Sequence, residues 1–305
     1  MPDLRFQPRF CGPRYWGHGV LIALIWIARL FPRVVSAWLG AALGDLFRFS
    51  NSKRRAIART NLNLCFPDIN EQDREQMLVD HFRAYGQSII DLGFLWWASP
   101  RRLERLFRVS GLEVWLDQAN EGSKTLLITP HTVGIDMGGV YLSQYFPMVS
   151  MMKLTLNPLV NWLLWNGRRR FGAKIISRDE GIRSLVRSLL EGQAGYLIPD
   201  EDLLEARTVF GPFFGVETAT SSVVGRLSRI TGVKVFPMFT RRLHTGLYEI
   251  DIRPALENFP TGNETEDVRR INEVFEMGIR LAPEQYLWTL QWFKNRPEGA
   301  ISPYS

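Results

Sequence analysis

From Thr125 onward the chain alternates short apolar runs with amphipathic stretches, and no other feature limits the fold as much. The strand candidates are Thr125 to Ile128, Met148 to Met152, Lys174 to Ile176, Tyr196 to Ile198, Val233 to Phe239 and Tyr248 to Ile252. Helical patterns fill most of the gaps. The clearest opens on a capping box, Ser177-Arg178-Asp179-Glu180, continues through Ile182, Leu185, Val186, Leu189 and Leu190, and stops at Gly192. Such alternation predicts an α/β fold in which a mixed, largely parallel sheet is covered by helices on both faces. Ligands in these sheets bind beyond the carboxyl ends of the strands, so the loops that follow the strands are where chemistry belongs.

Three charged clusters fall in such or comparable places, the second of them at a helix end just before a strand. The first, Thr129-Pro130-His131-Thr132-Val133-Gly134-Ile135-Asp136, joins the Thr125 run to a helix expected from Met137 to Tyr145. A histidine and a carboxylate at a strand-to-helix turn form a candidate base and orienter. Inside one helix, five steps of about 100° would leave the two about 140° apart, so they meet only if His131 sits in the turn. Pro130 favours that placement, because a proline cannot continue a ladder and restricts the residue before it. The bland alternative is a hydrogen-bonded structural histidine. The second cluster, Asn166-Gly167-Arg168-Arg169-Arg170-Phe171-Gly172, ends a helix rich in Trp and Leu. Arginines in a last turn commonly answer the helix dipole, whereas a group of three also suits phosphate or a developing oxyanion. In the third, Tyr196-Leu197-Ile198-Pro199-Asp200-Glu201-Asp202, a strand ends in three acids, which serve elsewhere as turn formers and caps. Phe210-Gly211-Pro212-Phe213-Phe214-Gly215 follows.

The first half of the chain points to a membrane. Tyr15 to Leu30 and Val34 to Phe49 are apolar, and Trp16 and Arg29 are residue types that anchor at an interface. The first run falls short of the roughly 20 residues a span requires, so it reads as a short transmembrane helix or as a helix lying in the surface. A cleaved signal peptide fits less well, because the lead is long and no small-x-small site follows closely. Residues 1–50 are therefore expected to form a membrane anchor region and 51–305 a single α/β domain. Lys53, Arg54, Arg55 and Arg59 form a basic cluster beside the anchor, suited to anionic headgroups or to a solvated helix face. Asn70 reads as the N-cap of a helix carrying Leu78, Phe82, Tyr85, Ile89 and Leu92 on one stripe, and Trp96 and Trp97 extend its aromatic content.

Composition narrows the function. With 46% hydrophobic residues and ten tryptophans the chain is not disordered, and a net charge of +6 calls for a negative partner. Two cysteines give neither a disulfide framework nor metal spacing. No glycine-rich phosphate loop and no Gly-x-Ser-x-Gly elbow is present, so neither a metal nor a cofactor is expected. Nucleic acid is not the expected partner, because the aromatics cluster in apolar surroundings and no stacking module or basic repeat is present.

Taken in order, these residues resemble the late acyltransferases of lipid A biosynthesis, the lauroyl and myristoyl transferase family of Gram-negative bacteria. The resemblance covers nearly the whole chain. It includes Pro13-Arg14-Tyr15-Trp16, Arg59-Thr60-Asn61-Leu62-Asn63-Leu64-Cys65-Phe66-Pro67, His131 with Asp136, Asn157-Pro158 and the Arg168 to Arg170 stretch. It continues with Ile198-Pro199-Asp200-Glu201-Asp202, Pro212-Phe213-Phe214-Gly215, Ala282 to Trp288 and Phe293 to Gly299. The histidine-acid spacing alone is weak, whereas its combination with the others in order is specific. Leu203-Leu204-Glu205 departs from the usual Gly-Pro context after the paired acids Asp200 and Asp202.

The resemblance implies a fold similar to the glycerophosphate acyltransferases, an N-terminal apolar membrane-anchoring helix in the bacterial inner membrane, and an active site facing the cytosol. It implies transfer of a fatty acyl chain from acyl carrier protein to a hydroxyl of a hydroxyacyl chain on a phosphorylated disaccharide lipid A precursor. His131 is then the general base and Asp136 its orienter, with no acyl-enzyme. Arg168 and Arg170 match positions for an oxyanion or a sugar phosphate. The basic surface meets anionic inner-membrane lipids and the acidic carrier. Other readings are a lysophospholipid, glycerophosphate or other glycolipid acyltransferase and, more distantly, a non-catalytic lipid-binding protein.

Overall fold

The computed structural model of the protein describes residues 5–201, 208–297 and 299–304. Five helices come first: α1 (Trp16–Ala28), α2 (Arg33–Ser50), α3 (Ser52–Cys65), α4 (Glu71–Trp97) and α5 (Pro100–Glu104). Strand–helix alternation follows, with β1 (Phe107–Ser110), α6 (Leu112–Asn120), β2 (Thr125–Ile128), α7 (Ile135–Leu142), β3 (Met148–Met152), α8 (Pro158–Arg168), β4 (Lys174–Ser177), α9 (Ile182–Leu190) and β5 (Ala194–Leu197). The last elements are the hairpin β6 (Thr208–Phe213) and β7 (Val216–Ser221), then α10 (Val223–Thr231), β8 (Lys234–Arg242), β9 (Tyr248–Ile252) and α11 (Glu264–Arg280).

Seven strands form one sheet in the order β1-β9-β8-β2-β5-β3-β4. Only β8 and β9 run antiparallel, and every other neighbouring pair is parallel. The expected mixed, largely parallel sheet is therefore present, with all six expected strands in place. Its centre is β2, whose four residues are all but inaccessible to solvent. Leu126 and Ile128 point into the core shared with α9, α10 and α11, while Leu127 points into the core shared with the end of α4 and with α7. This alternation across the pleat explains the uninterrupted apolar run, because a strand covered on both faces has no polar side. Each buried leucine contributes about 2 kcal/mol of transfer free energy.

Sequence periodicity missed β1 and the β6–β7 hairpin. The edge strand Phe-Arg-Val-Ser is too short and polar to stand out, and the hairpin strand Thr-Val-Phe-Gly-Pro-Phe carries two residues that normally break strands. The hairpin turns at Phe214 (φ 50°) and Gly215 (φ 74°), the left-handed pair a two-residue connection requires. Phe214 adopts this costly conformation with its N–H bonded to the Glu276 carboxylate at 2.6 Å and its ring packed against Phe66 and Trp288. The capping box also differs from expectation. It closes a single 3-10 turn at Arg178–Glu180, and Gly181 (φ 76°) then breaks the path before α9 begins at Ile182.

Of the two readings of the first apolar run, the spanning one is corrected by length. At about 1.5 Å per residue α1 reaches about 20 Å, against the roughly 30 Å of a bilayer core. No helix among the described residues is long and apolar enough to cross a membrane. Instead α1 and α2 pack along α4. Gly40 and Gly44 of α2 meet Gly86 of α4 so closely that a Cβ at Gly86 would lie 2.3 Å from the Gly40 carbonyl oxygen. Arg33 secures the same hairpin by donating to the fully buried Asp91 at 2.5 and 3.1 Å, where Tyr248 Oη and Gln87 Nε2 also donate at 2.8 Å. Four donors around one carboxylate compensate for removing its charge from water.

Candidate active site

The site grows from two adjacent parallel strands that end alike. β2 runs into Thr129-Pro130-His131 and β5 into Ile198-Pro199-Asp200. The ladder makes its last bond from Thr129 N to Leu197 O at 3.1 Å. Each proline then removes an N–H donor and turns its strand out of the sheet, so the residue after it stands at the carboxyl edge. Because β2 and β5 are neighbours in register, the two residues meet. His131 Nδ1 lies 2.5 Å from Asp200 Oδ1, and the His131 backbone N–H donates to Asp200 Oδ2 at 2.8 Å.

This geometry corrects the expectation for Asp136. That residue does stand in the first turn of α7, but its carboxylate faces Arg168, which donates from Nε at 2.7 Å and from Nη2 at 3.2 Å. The reason lies in the fold: β3 and α8 return the chain so that the last turn of α8 faces the start of α7, and the bidentate fork claims both oxygens of Asp136. Burial weakens the Arg168 charge, but the paired charge and hydrogen bonds of Asp136 more than offset it and raise its pKa. Arg168 Nη1 is not used in that fork, which leaves it available to a substrate.

Arg170 is not brought to this site. Its guanidinium donates to the carbonyls of Leu95 and Ala98 at the end of α4 and lies over the Phe171 ring. It thereby answers the unsatisfied carbonyls and negative dipole end of that helix. Asp202 lies outside the described residues. Glu201, between the two acids, pairs with Arg178 at 3.2 Å. Of the basic cluster beside α2, Arg59 is neutralised by Glu75, while Arg54 and Arg55 donate to the carbonyls of Thr289 and Arg48 and keep their charge.

His131 and Arg168 line one cavity of about 460 Å³, shared with Tyr196, Lys153 and Arg226 and walled on its apolar side by α9 and α10. A second cavity of about 40 Å³ shares Arg168 and Tyr196 with it and is lined further by Gly139, Met148, Ala173 and Ile175. With Nδ1 held by Asp200, the imidazole is left with Nε2 for a proton from a bound molecule. A hydroxyl or water placed there becomes a nucleophile, and Arg168 supplies positive charge in the same space.

The far side of the His131 turn rests on a segment that sequence reasoning identified only by resemblance. Leu287 N donates to His131 O at 2.9 Å and Val133 N to Gln285 O at 2.8 Å, and Thr132 bridges to Tyr286. Tyr286 Oη donates to Asp200 Oδ2 at 3.0 Å, and the Trp292 ring lies 5.7 Å from that of His131. Two residues from the helical half hold this segment in place. Asn61 Nδ2 donates to the carbonyls of Trp288 and Leu290 at 2.7 Å, and the buried His81 bonds the Glu284 carbonyl through Nδ1 at 3.0 Å. Burial pushes the His81 pKa down to about 4, so it is the neutral donor there.

A buried carboxylate fixes a histidine at the carboxyl edge of a parallel sheet, with an arginine in the same cavity, an arrangement with which an α/β fold can offer a general base. The family of bacterial lipid A biosynthesis acyltransferases matches residues 4–295. The lipid A biosynthesis palmitoleoyltransferase of Escherichia coli (strain K12) is 31% identical over 305 residues, 99% of each chain. The lipid A biosynthesis acyltransferase of Haemophilus influenzae is 34% identical over 300 residues, 97% of this chain and 93% of that one. The lipid A biosynthesis lauroyltransferase of Escherichia coli (strain K12) is 31% identical over 302 residues, 98% of each chain. The chain belongs to the bacterial lipid A biosynthesis acyltransferase family and is an acyltransferase.

Proposed function

We propose that the protein moves a fatty acyl chain from the thioester of acyl carrier protein to a hydroxyl of a hydroxyacyl chain on a phosphorylated disaccharide lipid A precursor. The observation that carries this reading is the His131–Asp200 contact at 2.5 Å at the wall of a cavity that also holds Arg168. His131 Nε2 takes the hydroxyl proton as the oxygen attacks the thioester carbonyl carbon. Asp200 keeps the proton on Nδ1 and stabilises the imidazolium that forms. Arg168, aimed by Asp136, faces the tetrahedral oxyanion through Nη1. Collapse of the intermediate breaks the carbon–sulfur bond, and the imidazolium returns its proton to the departing thiolate. The substrate supplies the nucleophile, so no acyl-enzyme is required.

The lipid is met at a membrane surface, on the cytosolic face of the inner membrane. α1 and α2 leave Trp16, Val34, Trp38 and Phe49 between 63% and 81% exposed, an apolar face no soluble monomer needs. The charged Lys53, Arg54 and Arg55 stand next in sequence, where they meet anionic headgroups. The test is an acyl transfer assay with purified membranes, acyl carrier protein loaded with chains of several lengths and a tetra-acylated phosphorylated disaccharide lipid. Wild type adds the mass of one acyl chain and His131→Ala does not. Folded protein that leaves this lipid unchanged while acylating a glycerophospholipid would overturn the assignment of the acceptor.

A further inference from the structure

We infer that Tyr286 is a positioning residue for the catalytic base: its phenol fixes the Asp200 carboxylate against the backbone N–H and Nδ1 of His131 and sets how strongly that carboxylate holds the ring proton. This inference rests on the acyl-transfer reading above.

Asp200 accepts three hydrogen bonds and each has a distinct source. The ring of His131 takes Oδ1, while the His131 backbone N–H and Tyr286 Oη share Oδ2 at 2.8 and 3.0 Å. The Asp200 side chain is 5% exposed and Tyr286 is 1% exposed, so bulk water does not replace a missing donor. The phenol is itself held firmly. Its ring stacks on Trp292 at 4.8 Å with an interplanar angle of 23° and meets the edge of Trp288 at 4.8 Å. Its backbone bridges Thr132, and the next residue donates to the His131 carbonyl. One chain segment therefore grips the base from behind and orients its carboxylate from the side. Burial and the neighbouring Asp200 charge raise the Tyr286 phenol well above its ordinary pKa, so it remains a donor throughout the working range.

A donor on Oδ2 withdraws charge from the carboxylate. Without it, Asp200 attracts the imidazolium more strongly and His131 keeps its proton to higher pH. The other groups facing this trio are few among the described residues. Lys153, Arg168, Arg178, Arg226 and Glu201 line the cavity on the open side of His131, and Cys65 and Tyr304 neighbour Tyr286. None of them donates to Asp200 in the described structure, so Tyr286→Phe removes one bond while the ring stays packed.

The experiment compares the full-length wild type, Tyr286→Phe and protein carrying 3,5-difluorotyrosine at position 286, with His131→Ala as control. Acyl transfer is measured across pH, and the pH dependence of His131 modification by diethylpyrocarbonate is read by mass spectrometry. In Tyr286→Phe, kcat falls about tenfold with KM nearly unchanged, and the acid limb and the modification midpoint both rise by roughly half to one pH unit. Difluorotyrosine, a stronger donor of nearly the same shape, moves both in the opposite direction. Unshifted midpoints in the two variants would overturn the inference. Because the modification midpoint needs no substrate, it decides the role of Tyr286 even if no lipid A precursor is acylated, and it does so through the difluoro variant if Tyr286→Phe does not fold.

Discussion

Asp200→Asn separates the partner of His131 from the carboxylate that merely lies near it in sequence. An asparagine fits the same space but offers one acceptor oxygen and one NH₂. At the Oδ2 position stand two donors, the His131 backbone N–H and Tyr286 Oη, so the amide oxygen must go there. The NH₂ then occupies the Oδ1 position, 2.5 Å from His131 Nδ1 in the wild type, and Nδ1 has to become an acceptor. The ring proton moves to Nε2, which can no longer take a proton from the acceptor hydroxyl. Hydrogen bonds are all satisfied, so stability stays close to wild type while the base is lost. General-base catalysis contributes about 100- to 10,000-fold, so kcat falls by that factor, about 3 to 5 kcal/mol in the barrier, with KM little changed. Asp136→Asn leaves His131 untouched and weakens only the support of Arg168, and its kcat falls about tenfold. Steady-state transfer from acyl carrier protein thioester, with circular dichroism melts of each variant, checks both. An active Asp200→Asn beside an inactive Asp136→Asn would refute this assignment.

Other outcomes follow from the packing. His81 has a folded pKa of about 4 against an ordinary 6.5, so between those values the unfolded chain binds a proton that the folded one refuses. Stability is therefore lost as pH falls from 6.5 towards 4, by up to about 3 kcal/mol, and melts across that range flatten in His81→Gln. Gly86→Ala forces a methyl into the backbone of α2 and destabilises the protein by at least about 2 kcal/mol in denaturant titrations. Replacing Val34 and Trp38 together by glutamate lowers sedimentation with anionic phospholipid vesicles at least about tenfold, with acyl transfer to a detergent-dispersed acceptor retained. Undiminished vesicle binding would place the membrane contact elsewhere.

What could be read from the residues alone was local. Apolar run length placed β2, β3, β4, β5, β8 and β9. Asn70 capped α4 as read, with its side chain accepting from Asp73 N. Pro130 marked the end of its strand because a proline removes a donor whatever surrounds it. Those signals put His131 and Asp200 just past strand ends, Asp136 at the start of a helix and Arg168 at the end of another. They did not say which of them touch. That His131 meets Asp200 depends on β5 lying beside β2, and strand order is settled by how the whole chain buries both sheet faces. Arg170 points away because α4 ends beside it, and Tyr286 reaches the site only because Asn61 and His81 hold its segment against the catalytic turn. Which residues stand at strand ends is written locally, since backbone dihedrals and hydrophobic period are encoded within a few residues. Which carboxylate meets His131 is set by the packing of the whole chain, since that contact joins strands whose adjacency no local pattern records.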